Sequence, residues 1–428
     1  LRELIKDGAV SMKTIDQRVA DVLRVKFTIG LFDQPYVVNP KIADTLVNNA
    51  EAKAMSLQLS REALVLLKND NNTLPLDKSK LRSILVTGPL AAETNHSVSR
   101  YGPSNIKVIS VLEGIRSYLG KDATVNYTKG CEIIDTLWPM SELFRPQIPA
   151  DQETEMSKAV NLANQSDAII VVLGENERMV GESKSRTGLD LPFLQQALLE
   201  KLQATGKPVI LVLINGRPLT INWANQYVPA ILETWFPGEQ GGRAIAESIF
   251  GDYNPGGKLP VTFPRSIGQI ELNFPYKPGS HAGQPGDGPN GYGRTAVHGP
   301  LYAFGHGLSY TTFEYSNLQV NPETQLSQGN IEVSIDVTNT GKRKGDEVVQ
   351  LYLRDKVSSV TQYDMLLRGF DRITLSPGEK KTVRFTLHPD DLSLLDKNMN
   401  WVVEPGAFEV LIASSSVDIR AKKEFVIK

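Results

Sequence analysis

Two stretches constrain this chain more than any others: Ala168-Ile-Ile-Val-Val-Leu173 and Val209-Ile-Leu-Val-Leu-Ile214. Each is an unbroken apolar run, rich in β-branched side chains, with no polar residue to turn toward water. Such a strand is buried on both faces, the situation of a strand inside a parallel sheet covered by helices. The flanking segments agree. Helical patterns at 50–61, 110–119, 153–164, 192–202 and 242–250 alternate with strand patterns at 84–87, 123–127 and 230–235. Pro192 stands where a first helical residue favours it. Strands separated by helices predict an α/β sandwich with a mostly parallel sheet.

The pattern changes after Pro264. Residues 278–300 hold a Gly- and Pro-dense run, Gly286-Asp-Gly-Pro-Asn-Gly-Tyr-Gly293 within it, too long for a simple turn and read as a functional loop or an interdomain crossing. Beyond Phe313 the period becomes two: Ile331, Val333, Ile335 and Val337 alternate with Glu332, Ser334, Asp336 and Thr338. Further strand patterns at 348–353, 381–387 and 407–413, with turns at Asn339-Thr-Gly341 and Ser376-Pro-Gly378, predict an all-β sandwich of the immunoglobulin or fibronectin type III kind. The opening residues read as a helix, with Thr14 and Gln17 at capping-box spacing, Ile15, Val19, Val22, Leu23 and Phe27 on one face, and Gly30 as its stop. An amphipathic helix needs something to cover its apolar face. The expectation is that the chain is the carboxyl part of a longer protein, any signal peptide lying with the missing portion. The expected organisation is a barrel-exit helix and linker over 1–49, the α/β sandwich over 50–277, a Gly/Pro-rich connection over 278–312 and the β-sandwich over 313–428.

Composition narrows the functional classes. With 428 residues, 41% hydrophobic and 22% charged, this is an ordinary globular chain of two or three domains. A net charge of -2 gives no basic footprint for nucleic acid, and no apolar run is long enough to span a bilayer. One cysteine, Cys131, cannot form an internal disulfide. The histidines (His96, His281, His298, His306, His388) show no ligand spacing, so no metal and no cofactor is expected, and structural or surface roles are favoured for each. There is no Walker loop and no Gly-x-Ser-x-Gly elbow. Gly238-Glu-Gln-Gly-Gly242 reads as a tight strand-to-helix turn rather than an anion site.

Chemistry is most concentrated just past the first buried strand, in Gly174-Glu-Asn-Glu-Arg-Met-Val-Gly-Glu-Ser-Lys-Ser-Arg186. Ligands of open α/β sheets sit beyond the carboxyl ends of the strands, so Glu175, Glu177 and Glu182 stand in a reactive neighbourhood. Spacing selects none of the three. On composition alone, a surface Glu182 paired with Arg178, Lys184 or Arg186 is the better reading. Tyr101, in Ser99-Arg-Tyr-Gly-Pro103, lies on the loop after the first sheet strand. An aromatic face beside an Arg suits a sugar, although a packed loop tyrosine is the default. Trp235 reads as core.

Several ordered motifs carry a resemblance to glycoside hydrolase family 3. They are Arg61-Glu-Ala-Leu-Val-Leu-Leu-Lys-Asn69 with Leu74-Pro-Leu76, Gly181-Glu-Ser-Lys-Ser-Arg-Thr187, Asn215-Gly-Arg-Pro218, Glu233-Thr-Trp-Phe-Pro-Gly-Glu239, Gly251-Asp-Tyr-Asn-Pro-Gly-Gly-Lys-Leu-Pro260 and Phe304-Gly-His-Gly-Leu-Ser-Tyr-Thr-Thr-Phe313. Together they span nearly the whole chain, and the nearest pattern is that of bacterial β-glucosidases and related exo-acting β-glycosidases. The resemblance implies a retaining mechanism with Glu182 as the acid/base, and Arg100 and Tyr101 facing the sugar; the family often has Gly-Trp where this chain has Arg-Tyr. It also implies an Asp nucleophile on an amino-terminal (β/α)8 barrel, which these residues do not contain. Retaining hydrolysis needs its two carboxyl groups about 5 Å apart. The chain alone is therefore expected to be inactive, and its expected partners are that barrel and an oligosaccharide or β-glucoside substrate. A periplasmic or secreted location is implied. β-Xylosidase or another β-glycosidase specificity is an alternative, as is a non-catalytic glycan-binding or scaffold fragment. A nucleotide-binding domain is a poorer option, lacking any phosphate fingerprint.

Overall fold

The computed structural model describes residues 1–95, 102, 106–135, 140–144, 147–269, 272–277, 297 and 299–428. Most of the Gly/Pro-dense run, and with it Gly286 to Gly293, therefore lies outside the described residues. The chain divides into two compact units, residues 1–53 and 54–428. The first contains the helix Met12–Thr28, which has no buried residue. Its cap is Ser11, whose side chain accepts from the Thr14 amide at 3.1 Å. The capping-box expectation at Thr14 and Gln17 thus placed the helix start three residues too late. Gly30, at φ +69°, follows the last turn, as a helix stop requires. No helix among the described residues is long and apolar enough to cross a membrane.

The second unit opens with an α/β lobe. Strands β1 (Val65–Asn69), β2 (Ser83–Thr87), β3 (Thr124–Thr128), β4 (Ala168–Gly174), β5 (Val209–Ile214) and β6 (Ala230–Glu233) form one sheet in the order β1-β6-β5-β4-β2-β3. All neighbours are parallel except the edge pair β1 and β6. β4 and β5 are buried at every position. Their side chains alternate between two cores. Ile170, Val172, Ile210 and Val212 face the helices Val111–Leu119 and Gly241–Phe250. Ile169, Val171, Leu211 and Leu213 face Ala150–Asn164 and Gln195–Gln203. The sheet is thus sandwiched between helices, as the uninterrupted apolar runs demand.

Two of the expected boundaries moved for a backbone reason. The helix expected from Pro192 begins at Gln195, because Phe193 adopts φ +51°, outside the helical region. The strand expected to reach Trp235 stops at Glu233, because Trp235 itself sits at φ +54°. β1 escaped the periodicity reading altogether. It follows the helix Ala50–Ala63 almost directly, and its short apolar run continues the helical pattern.

The β-sandwich comprises β7 (Phe313–Asn321), β8 (Thr324–Gln325), β9 (Ile331–Asn339), β10 (Gly345–Asp355), β11 (Leu366–Leu375), β12 (Lys380–Leu387), β13 (Leu394–Leu395), β14 (Trp401–Val402), β15 (Gly406–Ser415) and β16 (Asp418–Ile427). Its two facing sheets are β11-β10-β15-β16-β8 and β12-β9-β7, with β13 and β14 as a small hairpin. β9 buries alternate residues, Ile331 to Val337, in the shared core. Polar contacts tie the sandwich to the α/β lobe. Lys258 meets the buried Glu347 at 3.2 Å, and Arg372 holds Asp346 and the Tyr253 hydroxyl, each at 2.8 Å. The Phe304-Gly-His-Gly segment crosses β1 as a half-buried strap. The Leu308 amide donates to the Leu66 carbonyl, and a His306 ring nitrogen lies 2.9 Å from the Leu67 carbonyl. Burial keeps the His306 imidazole below its ordinary range.

Helix Val111–Leu119 crosses Gly241–Phe250 with backbone on backbone. A Cβ at Gly114 would stand 2.0 Å from the Gly242 carbonyl oxygen, and one at Gly242 would stand 2.0 Å from that of Ser110. Gly242 therefore permits this crossing as well as ending the strand-to-helix turn. We expect Gly114→Ala to cost about 1–3 kcal/mol by overpacking. It should appear as a lower urea midpoint at unchanged m-value, whereas an unchanged midpoint would mean the helices separate freely.

Candidate active site

The central strands β4 and β5 carry no polar side chain, so hydrogen-bonding chemistry emerges where they end. β4 ends in Gly174, whose φ of +130° and closeness to β5 exclude a side chain: a Cβ there would meet the Ile214 oxygen at 1.9 Å. The buried Gln195 amide pairs with both backbone groups of Gly174, accepting from its N–H at 2.7 Å and donating to its C=O at 2.9 Å. The Glu175 N–H then donates to the Ile214 carbonyl at 2.7 Å. The origin of the acidic loop is thus locked to two strands and a helix.

The three glutamates of that loop occupy different environments. Glu175 has 0% side-chain exposure. Arg186 donates to one of its oxygens at 3.1 Å and Arg217 to the other at 3.2 Å. Both oxygens of this buried carboxylate are thus engaged by guanidinium groups. Glu177 is 18% exposed, and one of its oxygens is buried without a hydrogen-bond partner among the described residues. Glu182 is exposed. It stands at the tip of a tight turn closed by the Lys184 N–H on the Gly181 carbonyl at 3.0 Å. Its neighbours Gly181 and Ser183 both have positive φ, +117° and +61°. Such values are uncommon for a residue like Ser183, and the turn leaves Glu182 exposed. Of the three, Glu182 is the exposed one.

Arg217 was not singled out from sequence, although its motif, Asn215-Gly-Arg-Pro218, was. Three of that motif's four residues now have a task. The Asn215 side-chain amide donates to the Arg217 carbonyl at 2.8 Å and to Glu233 at 3.1 Å. Gly216 leaves room for Val180 of the acidic loop, since a Cβ would lie 2.4 Å from a Val180 methyl. The Arg217 guanidinium also donates to the Met179 carbonyl at 2.7 Å. A cavity of about 400 Å³ opens along the loop, bounded in part by Asn176, Met179, Arg186, Leu191 and Phe193. Trp235 is half-buried, edge-on to Phe263 at 6.1 Å, in keeping with a core role. Arg100 and Tyr101 lie outside the described residues. Among the described residues, no group of three or more His, Cys, Asp or Glu side chains is placed to hold a metal ion.

Glu233 ends β6 with 0% exposure. Burial pushes its carboxyl from an ordinary 4.5 up to about 8, against the lowering effect of hydrogen bonds from the Trp235 N–H and Asn215, and the charge of Glu175 adds to the rise. A carboxyl raised on folding is protonated in the native state while ionised in the unfolded chain. Its contribution is therefore whole below the unfolded value and is lost as pH climbs toward the folded one. Unfolding free energy should decline between about pH 5 and pH 8, and Glu233→Gln should flatten that decline in urea titrations across the range. An undiminished slope in the variant would assign the effect to other groups.

The profile of the Glycosyl hydrolase family 3 C-terminal domain matches residues 64–310, more than half of the chain, and that of the Fibronectin type III-like domain matches residues 347–416. A β-xylosidase of Formosa agariphila is 41% identical over 97% of this chain and 56% of its own length. A periplasmic β-glucosidase of Salmonella typhimurium is 40% identical, with the same shares covered. The solved structure of a β-glucosidase from Erythrobacter marinus superposes with a TM-score of 0.87 at 35% identity, covering all of this chain and 57% of that one. The chain thus spans little more than half the length of the proteins it matches. On this profile match and the paired α/β and fibronectin-like architecture, the chain belongs to glycoside hydrolase family 3, of which it forms the carboxyl-terminal portion.

Proposed function

We propose that this chain supplies the general acid/base, Glu182, of a retaining, exo-acting β-glycosidase, acting on a β-glucoside or a related oligosaccharide. The observation that carries the reading is the contrast within one loop. Glu175 is sequestered by two guanidinium groups, while Glu182 is held out at the tip of a turn beyond the carboxyl end of β4. A proton donor for a glycosidic oxygen must be accessible yet fixed in place. In the first half-reaction Glu182 gives its proton to the leaving oxygen. In the second it takes a proton from the water that releases the sugar.

The complementary carboxylate is an Asp on an amino-terminal barrel joined to, or docked beside, this chain. Support comes from the share of the relatives' length that lies beyond the match, 44% on the first two by difference from the 56% covered. The helix Met12–Thr28, with its exposed Val19, Val22 and Phe27, is suited to dock on that barrel. Arg100 and Tyr101 line the leaving-group side of the sugar in this reading. The sandwich beyond residue 313 braces the α/β lobe, and the periplasmic relative favours a periplasmic or secreted location. β-Xylosidase activity is a second reading, favoured by the name of the 41% identical relative; a panel of aryl glucosides and xylosides separates the two.

The 428-residue chain alone should not turn over an aryl β-glucoside. Joined to its barrel it should, and Glu182→Gln should then lower kcat/KM for substrates with poor leaving groups by roughly 10²–10⁴-fold. Robust hydrolysis by the isolated chain, abolished by the same substitution, would reveal a second carboxylate within it. Sugar affinity without turnover, indifferent to Glu182→Gln, would favour a glycan-binding fragment.

A further inference from the structure

We propose that Glu175, Arg186 and Arg217 form a buried positioning clamp that holds the turn carrying Glu182 in register with the substrate. The inference rests on the acid/base reading above.

Burying three charged side chains is a poor route to stability. The desolvation of such a cluster is large, and well-packed apolar residues often do as well or better. Arg186 is 10% exposed, Arg217 21% and Glu175 not at all. What the cluster does achieve is geometric. Each guanidinium spends one arm on Glu175 and another on a loop carbonyl: Arg217 on Met179 at 2.7 Å, Arg186 on Asp190 at 2.9 Å. The two gripped carbonyls lie on either side of Glu182. Asp190 is held again from outside, its carboxylate accepting from the Thr220 hydroxyl. Val180 is seated over Gly216. Glu175 is itself fixed to the sheet through Ile214 and, by way of Gly174, through Gln195. The loop is therefore fastened on both flanks of its tip to a carboxylate that belongs to the rigid frame. A fork-shaped guanidinium can serve carboxylate and carbonyl together, whereas an ammonium is a point donor. General acid catalysis needs hydrogen-bond reach to the leaving oxygen, and a misplacement of about 1 Å can cost on the order of 10²-fold.

The decisive measurement is leaving-group dependence in the barrel-containing polypeptide. kcat/KM reports the first, glycosyl-transferring half-reaction. A dinitrophenyl β-glucoside needs little protonation to depart, whereas an alkyl β-glucoside depends on it. Glu175→Gln should lower kcat/KM for the alkyl glucoside by on the order of 10²-fold while leaving the dinitrophenyl glucoside near the wild-type value. Arg186→Lys, which keeps the charge but loses the fork, should give the same split, and it decides the matter if Glu175→Gln fails to fold. Amide hydrogen exchange in the 428-residue chain should quicken over 179–190 in Arg186→Lys, with β4 unchanged. Equal losses on both substrates, or none, alongside a clear split for Glu182→Gln would overturn the clamp. Absence of a split in Glu182→Gln itself would instead overturn the acid/base reading.

Discussion

The pairing of β4 with β5, six residues against six with every side chain buried, is the constraint from which the rest of the α/β lobe follows. A strand enclosed on both faces has no water to satisfy its backbone, so the ladder must satisfy all of it. The same enclosure bars polar side chains until the strand ends. Hydrogen-bonding residues are therefore displaced to the carboxyl edge, where Thr87, Glu175, Asn215 and Glu233 stand at or just beyond the ends of β2, β4, β5 and β6. The chemistry of the site is in this sense a consequence of the purity of the core beneath it.

Those edge residues differ in how burial is offset. Thr87 donates to the Thr128 carbonyl, and Asn215 donates to two acceptors while one atom, its side-chain oxygen, lacks a partner among the described residues. Glu175 is offset by two cations. Glu233 has no ion-pair partner among the described residues and rises toward neutrality instead. Two buried carboxyl groups, at the ends of β4 and β6 on either side of β5, have thus been accommodated by two different physical routes, ion pairing and protonation. Only the first leaves arms free to hold something else.

The sandwich is secured to the α/β lobe by a seam of its own. Lys258 lies between Glu347 and the Gly307 carbonyl, and the Tyr315 hydroxyl donates to the same Glu347 carboxylate at 3.1 Å. The Gln350 amide reaches the Gly305 carbonyl, and Gly305 is required there because a Cβ would collide with that amide at 2.2 Å. Motifs that look like markers of family in the sequence, such as Phe304-Gly-His-Gly, prove to be the joints of this seam.

What the sequence determined by itself was the identity and order of most elements and the two-part architecture. Burial on both faces, on one face, or along one stripe leaves a local imprint in apolar spacing, readable at 168–173 and 331–337 without any neighbour in view. Two of the boundaries it misplaced, at Pro192 and Trp235, turn on single left-handed residues, a property of backbone set by surroundings. The difference in exposure among Glu175, Glu177 and Glu182 appears only in the tertiary structure. Arg217 lies 42 residues beyond Glu175, and the two meet because β4 and β5 pair. Composition shows charges; which of them is sequestered and which is presented depends on distances that exist only once the sheet has formed.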